Sequence, residues 1–497
     1  MGPAEGAGVS VEQLDVLLLV GASVLLIGIA AVRLSVGSGL PSLLIYLGIG
    51  LLLGEDVLGL DFDDAETAQV IGYAALVVIL AEGGLTTSWR TIRPAVPAAA
   101  ALATVGTAVS VVVTAAAAWL MLDLSWQSAF IAGAVLAPTD SAAVFSVLRR
   151  VPLPRRVGGL LEAESGFNDA PVIILVVALV STGTETWYEL VGLLVYELSL
   201  GAVVGLAVGF AGAWAVRRIA LPASGLYPVA VIALCVVAFS SAEVAHASGF
   251  LAVYLAALVL GNARLPHRPA TRGFAEGLAW LAQIGLFVML GLLATPSEMA
   301  GSVLPALGVG LVLLLLARPL SVLVSTLPLN VSWPERGFLS WAGLRGAVPI
   351  VLATVPRDDT IFNMVFVLVI VFTLVQAPAL PWVARRLGLA RTDEAAELDI
   401  ESSPLSRLDA DLLQVPVPAG SRLAGVEIFE LRLPRGAAVT MVLRDDEAFV
   451  PSPTTKLRVG DELIVVATGD VRDDVDRRLR AVARSGRLAG WYRERGL

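Results

Sequence analysis

The sequence predicts an all-α polytopic membrane protein of about thirteen transmembrane helices, with inverted repeats and broken crossing helices, followed by a small α/β cytoplasmic C-terminal domain. Three observations predict it. The 497 residues are 57% hydrophobic and only 15% charged, whereas a soluble domain is roughly half apolar and a quarter charged. The apolar excess lies in long uncharged runs, and a span needs roughly 20 such residues. After Arg391 those runs give way to short strand-like segments and turns.

Thirteen runs read as spans: 14–32, 40–54, 68–88, 94–121, 127–148, 158–182, 189–216, 227–246, 249–261, 274–294, 300–326, 336–356 and 360–384. The second and ninth are short. Positive charge orients them, because arginine and lysine concentrate in cytoplasmic loops. With the N-terminus outside, the outward segments hold one arginine, Arg357, and the inward segments hold sixteen, from Arg33 to Arg391. A miscounted helix would invert this pattern from that point onward, and no inversion occurs. The C-terminal domain is therefore expected in the cytoplasm. The N-terminus, Met1 to Gln13, lacks the basic region of a cleaved signal peptide, so the first run is expected to remain as a helix.

Composition narrows the chemistry. Cys235 is the only cysteine, so there is no intramolecular disulfide framework. His246 and His267 are too few for a histidine metal site. Lys456 is the only lysine, and the arginine, alanine, glycine and valine bias suggests a GC-rich bacterial genome and hence a bacterial inner membrane. The net charge of −9 says little about partners; the positions of the charges matter more.

An ionisable group at the bilayer centre costs roughly 3 kcal/mol or more, and so marks a candidate functional site. Nine charges fall inside spans beyond the three residues at either end: Glu82, Asp140, Glu162, Glu164, Asp169, Glu197, Glu243, Arg318 and Arg345. Asp169 lies near the middle of the sixth helix, four residues after Ser165 and on the same helical face. It follows Asn168 and has no basic neighbour on its own helix. Asp140 is mid-span in the fifth helix after Pro138-Thr139, and Arg345 mid-span in the twelfth, among Gly343, Gly346 and Pro349. Glu82 lies toward the inner end of the third. Glu162, Glu197 and Glu243 read as interfacial or locally paired groups. Arg318 reads equally as a snorkelling side chain or a functional one.

Pro138 and the glycine-proline cluster at 343–349 break their helices. Broken helices are tolerated in a bilayer where freed backbone groups line a cavity, and many secondary transporters build midplane sites from them. Helices 4–6 (94–182) and 11–13 (300–384) have nearly equal lengths, and each triplet has a broken middle member. The fifth and twelfth are seven apart and cross in opposite directions, which fits an inverted repeat.

These segments, Leu80-Ala-Glu82-Gly-Gly-Leu85, Ala-Pro-Thr139-Asp140, Glu164-Ser-Gly-Phe-Asn168-Asp169, Ala-Arg318-Pro-Leu and Gly343-Leu-Arg345-Gly-Ala-Val-Pro349, resemble the NhaP-type monovalent cation:proton antiporters over about residues 14–390. Each motif alone is weak; the ordered set is specific. The resemblance implies a homodimer in membrane lipid, with a dimerisation bundle and a mobile core. It implies exchange of K+ or Na+ for H+, electroneutral given an Asn-Asp rather than Asp-Asp pair, and no cofactor. By the same resemblance, Asp169 carries the cation or the proton, and Ser165 and Thr139 complete the monovalent metal ion's oxygen shell. Glu82 approaches that site. Glu164 pairs with Arg345, while Asn168 and Asp140 brace the crossing and Asp140 faces a half-helix N-terminus. The chemistry is consistent with this, since burial raises a carboxylate's pKa and a bound cation lowers it. Proton and cation then compete for one group.

The organisation expected from the chain is a transmembrane domain over 1–391, an acidic linker over 392–403, a regulatory domain over 404–470 and a charged helical tail over 471–497. Leu412–Val417, Ala438–Leu443, Ala448–Val450 and Glu462–Ala467 read as strands, Leu423–Leu431 as a short helix, and the tail as a solvated helix. From Gly420-Ser-Arg422-Leu-Ala-Gly425 to Gly460-Asp461-Glu-Leu, residues 404–470 resemble the RCK C-terminal (TrkA-C) module of potassium-conductance regulators. That resemblance implies pairing, a small regulatory ligand and a preference for K+. Nucleic acid is not an expected partner.

Two other classes fit less well. A potassium channel needs carbonyl-lined pore loops, and there is no Thr-Val-Gly-Tyr-Gly-like segment. An intramembrane enzyme needs a nucleophile set or a metal cluster, and neither His-Glu-x-x-His nor Gly-x-Ser-x-Gly occurs.

Overall fold

In a computed structural model of the chain, residues 11–38, 41–60, 62, 64–148, 151, 153–182, 187–390, 401–405, 410–445, 447–468, 470–486 and 489 are described. The chain divides into two compact units, Met1–Ala390 and Arg391–Leu497.

In the first unit, α1 (Val11–Ser38), α2 (Ser42–Leu53) and α3 (Ala65–Thr86) lead to α4 (Val96–Leu122). A broken helix follows, α5a (Trp126–Val135) and α5b (Ser141–Leu148), then α6 (Arg155–Thr182). Next come α7 (Trp187–Arg218), α8 (Leu226–Val244), α9 (Gly249–Asn262), α10 (Arg268–Leu292) and α11 (Val303–Thr326). A second broken helix, α12a (Trp333–Trp341) and α12b (Ala347–Ala353), precedes α13 (Asp359–Arg386). Among the described residues, eight helices are long and apolar enough to cross a membrane, and Leu18–Arg33, α2 and α9 are shorter apolar helices. With the two broken helices, these account for the thirteen runs, including the short second and ninth.

Helix starts follow local chemistry. Asp64 accepts from the Glu66 and Thr67 amides at 3.1 and 3.0 Å, Ser125 from Ser128, and Asp358 from Thr360 and Ile361. Ser332 and Glu335 form a capping box at α12a. Such side chains satisfy helix amides that have no partner within the helix. The breaks fall at 136–140, around Pro138, and at 342–346, between Gly343 and Gly346. Proline has no amide to donate, and glycine carries no Cβ to obstruct a crossing chain. The repeat extends to a further detail: α4 and α11, the first helices of the two triplets, each carry a π-helical turn, Leu102–Gly106 and Leu313–Ala317. Such turns shift the side chains that follow to a new face and recur at functional sites.

The helices pack as two bundles. α2, α3, α7, α8, α9 and α10 pack mainly on one another, and α1 joins through α2 and α10. The triplets α4–α6 and α11–α13 form the other bundle. Small residues allow close approach within the first, as where a Cβ on Gly205 of α7 would come 2.5 Å from the Ala252 carbonyl of α9. The seam between the bundles is formed largely by α3, α9 and α10 facing α5, α6 and α12b.

The second unit is a two-layer α/β domain. Its antiparallel sheet has β1 (Glu401–Leu405), β2 (Ala410–Pro416), β3 (Ala437–Arg444), β4 (Glu447–Phe449) and β5 (Glu462–Thr468), in the order β1-β2-β5-β3-β4. Three readings of the sequence change here. The stretch 392–403 includes the start of β1, which pairs with β2; its residues up to 400 lie outside the described ones. Only Ile428–Leu431 of the expected helix forms, as a 3-10 turn, because Gly425 takes a positive φ of 87° and turns the chain. The charged tail is not solvated throughout. α14 (Arg472–Ser485) lays Val475, Leu479 and Val482, all buried, into one core with Leu413, Val415, Leu463 and Val465.

Candidate functional site

The two breaks cross and are stitched together. The Asp140 amide donates to the Leu344 carbonyl at 2.8 Å, so each interrupted chain supplies a group that the other lacks. The Asp140 carboxylate turns onto its own half-helix and accepts from the amides of Ala142 at 2.8 Å and Ala143 at 3.3 Å, where the helix dipole favours negative charge. Its other oxygen lies so near Gly346 that a Cβ there would come within 2.0 Å. Asp140 thus faces a half-helix N-terminus, that of α5b.

Helix α6 carries its polar residues in two rows. Glu162, Ser165 and Asp169 are spaced i, i+3, i+7 and line one face; Glu164 and Asn168 turn into their own bundle. Asn168 donates through Nδ2 to the Thr139 hydroxyl at 2.8 Å, with both residues buried. Ser165 Oγ accepts from the Ser141 amide at 3.3 Å. Both broken-helix contacts therefore land on α6 within one turn of Asp169.

Glu164 pairs with Arg318, not with the expected Arg345. Arg318 donates through Nη1 and Nη2 to the two carboxylate oxygens at 2.5 and 3.0 Å, and through Nε to the Leu339 carbonyl. Arg318 follows directly on the π-helical turn of α11, and it is 5% exposed, so it does not snorkel to a headgroup. Arg345 is 1% exposed and donates through Nη1 to the Gly343 carbonyl at 3.3 Å, and among the described residues its Nε has no partner.

The other row opens onto a cavity of about 290 Å3 in the seam. Glu82 of α3, Thr139 and Asp140 of the α5 break, and Ser165 and Asp169 of α6 all line it. The four residues expected to hold the ion, Asp169, Ser165, Thr139 and Glu82, thus meet around one space. A second cavity of about 310 Å3 shares Glu82, Asp140, Phe145, Gln283 and Phe287 with the first and adds Ser42, Tyr46 and Glu276. Among the described residues, no cationic side chain pairs with Asp169. Carboxylate, hydroxyl and carbonyl oxygens are the donors that hard cations take, and a single buried carboxylate also takes a proton.

Two further residues line the cavity: Glu162, which the sequence marks as interfacial or locally paired, and Tyr254, which the sequence does not mark. Glu162 accepts from the Thr87 hydroxyl of the opposite bundle at 2.5 Å, and Tyr254 of α9 faces α6 across the seam. The i, i+7 spacing of Glu162 with Asp169 was a usable signal. Tyr254, one aromatic in an apolar run, gave none.

A family model for the sodium/hydrogen exchanger transmembrane domain matches residues 21–386, and one for the TrkA-C domain matches residues 412–480. The chain is 35% identical over 480 residues to the K(+)/H(+) antiporter NhaP of Alkalimonas amylolytica, covering 93% of this chain and 83% of that one. It is 35% identical over 476 residues to the K(+)/H(+) antiporter NhaP2 of Shewanella oneidensis, covering 92% and 82%. Among solved structures, the sodium proton antiporter MjNhaP1 from Methanocaldococcus jannaschii superimposes with a TM-score of 0.66 at 21% identity, over 75% of this chain and 99% of that one.

Proposed function

Because the chain belongs to the sodium/hydrogen exchanger family, and so is a cation/proton antiporter, we propose that it exchanges K+ for H+, one for one, through competition at Asp169. The single observation that carries this reading is the convergence of Asp169, Ser165, Thr139 and Glu82 on one cavity at the seam between two bundles. A carboxylate without a cationic partner is costly within a bilayer. Protonation or a bound K+ removes that cost. The triplet bundle then crosses only when Asp169 is occupied, and exchange is obligatory without a separate proton path. Asn168 leaves Asp169 as the one charge of its pair, which favours electroneutral turnover. Transport needs no cofactor and no covalent chemistry.

The preference for K+ rests on the names of the relatives and on the TrkA-C domain. Na+ uses the same donor types, so Na+/H+ exchange is the alternative. The sixteen inward arginines support an orientation with the N-terminus outside and the TrkA-C domain in the cytoplasm of a bacterial inner membrane, where a small ligand would regulate it. The long apolar faces of α1 and α7, with Leu18, Leu26, Val195 and Phe210 exposed, suit lipid and a second copy in a homodimer.

Proton flux in proteoliposomes tests the reading. K+ pulses should drive proton movement through the wild type, and Asp169→Asn should be silent while remaining folded and dimeric. Flux that persists in Asp169→Asn would remove the assignment of the site. An equal or greater response to Na+ would remove the preference for K+.

A further inference from the structure

Tyr254 belongs to α9, in the bundle opposite Asp169, and is 2% exposed. Its ring lies against α6 at Gly166, where a Cβ would come 2.3 Å from the ring and 2.6 Å from the hydroxyl oxygen. Phe167 meets the same ring edge-on, with centroids 5.9 Å apart. The ring is thus fixed on both sides, and Tyr254 lines the cavity of Asp169 and Ser165. Its hydroxyl is buried, with the Thr87 hydroxyl as its neighbour. Thr87, on the same cavity, gives its own proton to Glu162.

With the Thr87 proton given to Glu162, the lone pairs of the Tyr254 oxygen are left unused. A buried hydroxyl so placed calls for an explanation, because phenylalanine would fill the same space without burying an oxygen. The atom lies on a cavity that carries carboxylates and hydroxyls, and it is a neutral oxygen with lone pairs to give. We infer that the Tyr254 hydroxyl is a ligand of the transported monovalent cation, supplied from across the seam, and that it sets the preference for K+ over Na+. This rests on the reading of the Asp169 cavity as the ion site. Selectivity follows from stiffness. A phenol oxygen on a ring clamped by Gly166 and Phe167 cannot draw in around the smaller Na+, so the gain from coordination is greater for K+. Coupling follows from position, since Asp169 and Tyr254 share an ion only when α6 stands opposite α9.

The test is Tyr254→Phe in the full-length protein, reconstituted beside wild type and Asp169→Asn, with K+ and Na+ titrated at one fixed pH. Loss of one neutral ligand should raise the KM for K+ about 3- to 10-fold. The KM for Na+ should rise less, the maximal rate should stay within about twofold, and the thermal midpoint should be unchanged or higher. An unchanged KM for both cations overturns the inference, as does a lowered midpoint or a failure to fold, because either would make the hydroxyl structural. Asp169→Asn separates the two levels. If it transports, the ion site itself is misplaced. If it is silent while Tyr254→Phe keeps its KM values, only the role of Tyr254 falls.

Discussion

Glu164 and Arg318 meet head to head, two oxygens against two nitrogens at 2.5 and 3.0 Å, with side chains only 3% and 7% exposed. The pair ties α6, which carries Asp169, to α11 in the other half of the inverted repeat. A bidentate guanidinium–carboxylate contact fixes direction as well as distance, so it sets the rotation of α6 and hence where Asp169 points. Arg318→Ala should cost about 3–5 kcal/mol, because it strands a buried carboxylate. Arg345→Ala leaves Glu164 paired and should cost less. Thermal unfolding of the two variants in detergent ranks them; an equal or larger loss in Arg345→Ala would return Glu164 to Arg345.

The crossing depends on the absence of one carbon. A Cβ at Gly346 would come 2.0 Å from Asp140 Oδ2, in a stretch where the chains are held by the Asp140 amide to the Leu344 carbonyl. Gly346→Ala should push the two breaks apart, cost about 1–3 kcal/mol from overpacking, and abolish proton flux. Gly343→Ala tests local specificity, since its Cβ would meet the Arg318 side chain at 2.8 Å rather than Asp140. If Gly346→Ala keeps wild-type flux, the crossing is not needed in this form.

Thr139 serves two partners. Its hydroxyl accepts from Asn168 at 2.8 Å and keeps a second lone pair for the cavity. Thr139→Val removes both, leaving the Asn168 amide nitrogen buried and unpaired at a cost of about 1–3 kcal/mol and weakening cation binding. Thr139→Ser restores the oxygen and should restore both properties. Melting points and the KM for K+ of the two variants decide this. A Val variant with normal KM would take Thr139 out of the ion's shell.

What could be read from the sequence follows physical lines. Asp169, Asp140, Arg345 and Glu82 stand out because charge within an apolar run has few explanations. The choice of partner for Glu164 does not, since it depends on the π-helical turn at Leu313–Ala317, which composition does not mark. Tyr254 is hidden for the same reason, because its importance lies in facing Gly166 across a seam. In the C-terminal domain strands β2 to β5 are legible as apolar runs between turns, while β1, Glu-Ser-Ser-Pro-Leu, is a polar edge strand with no alternation to find. The many charges of α14 mask the apolar stripe of Val475, Leu479 and Val482, whose spacing is nonetheless helical.

The C-terminal domain carries its own buried ion pair, and its pH response has a definite sign. Asp461 accepts from Arg444 Nε and Nη2 and from the Arg458 amide, each at 2.7 Å. Burial pushes the carboxyl up, but the bonds from Arg444 and the Arg458 amide outweigh it and hold the group below its ordinary value. A carboxylate lowered by folding stabilises the folded state at pH values above its unfolded pKa of about 3.9, and that contribution is lost as pH falls through the lower folded value. The domain's stability should therefore be insensitive to this group near neutrality and should fall below about pH 4. Asp461→Asn should cost about 1.5–3 kcal/mol at neutral pH, the range for bonds to charged groups, and should reduce the acid sensitivity. Hydrogen exchange at residues 462–468 in the full-length protein reports both. The same acid sensitivity in wild type and Asp461→Asn would assign it to other carboxylates of the domain and leave the Arg444 pair without a titratable role.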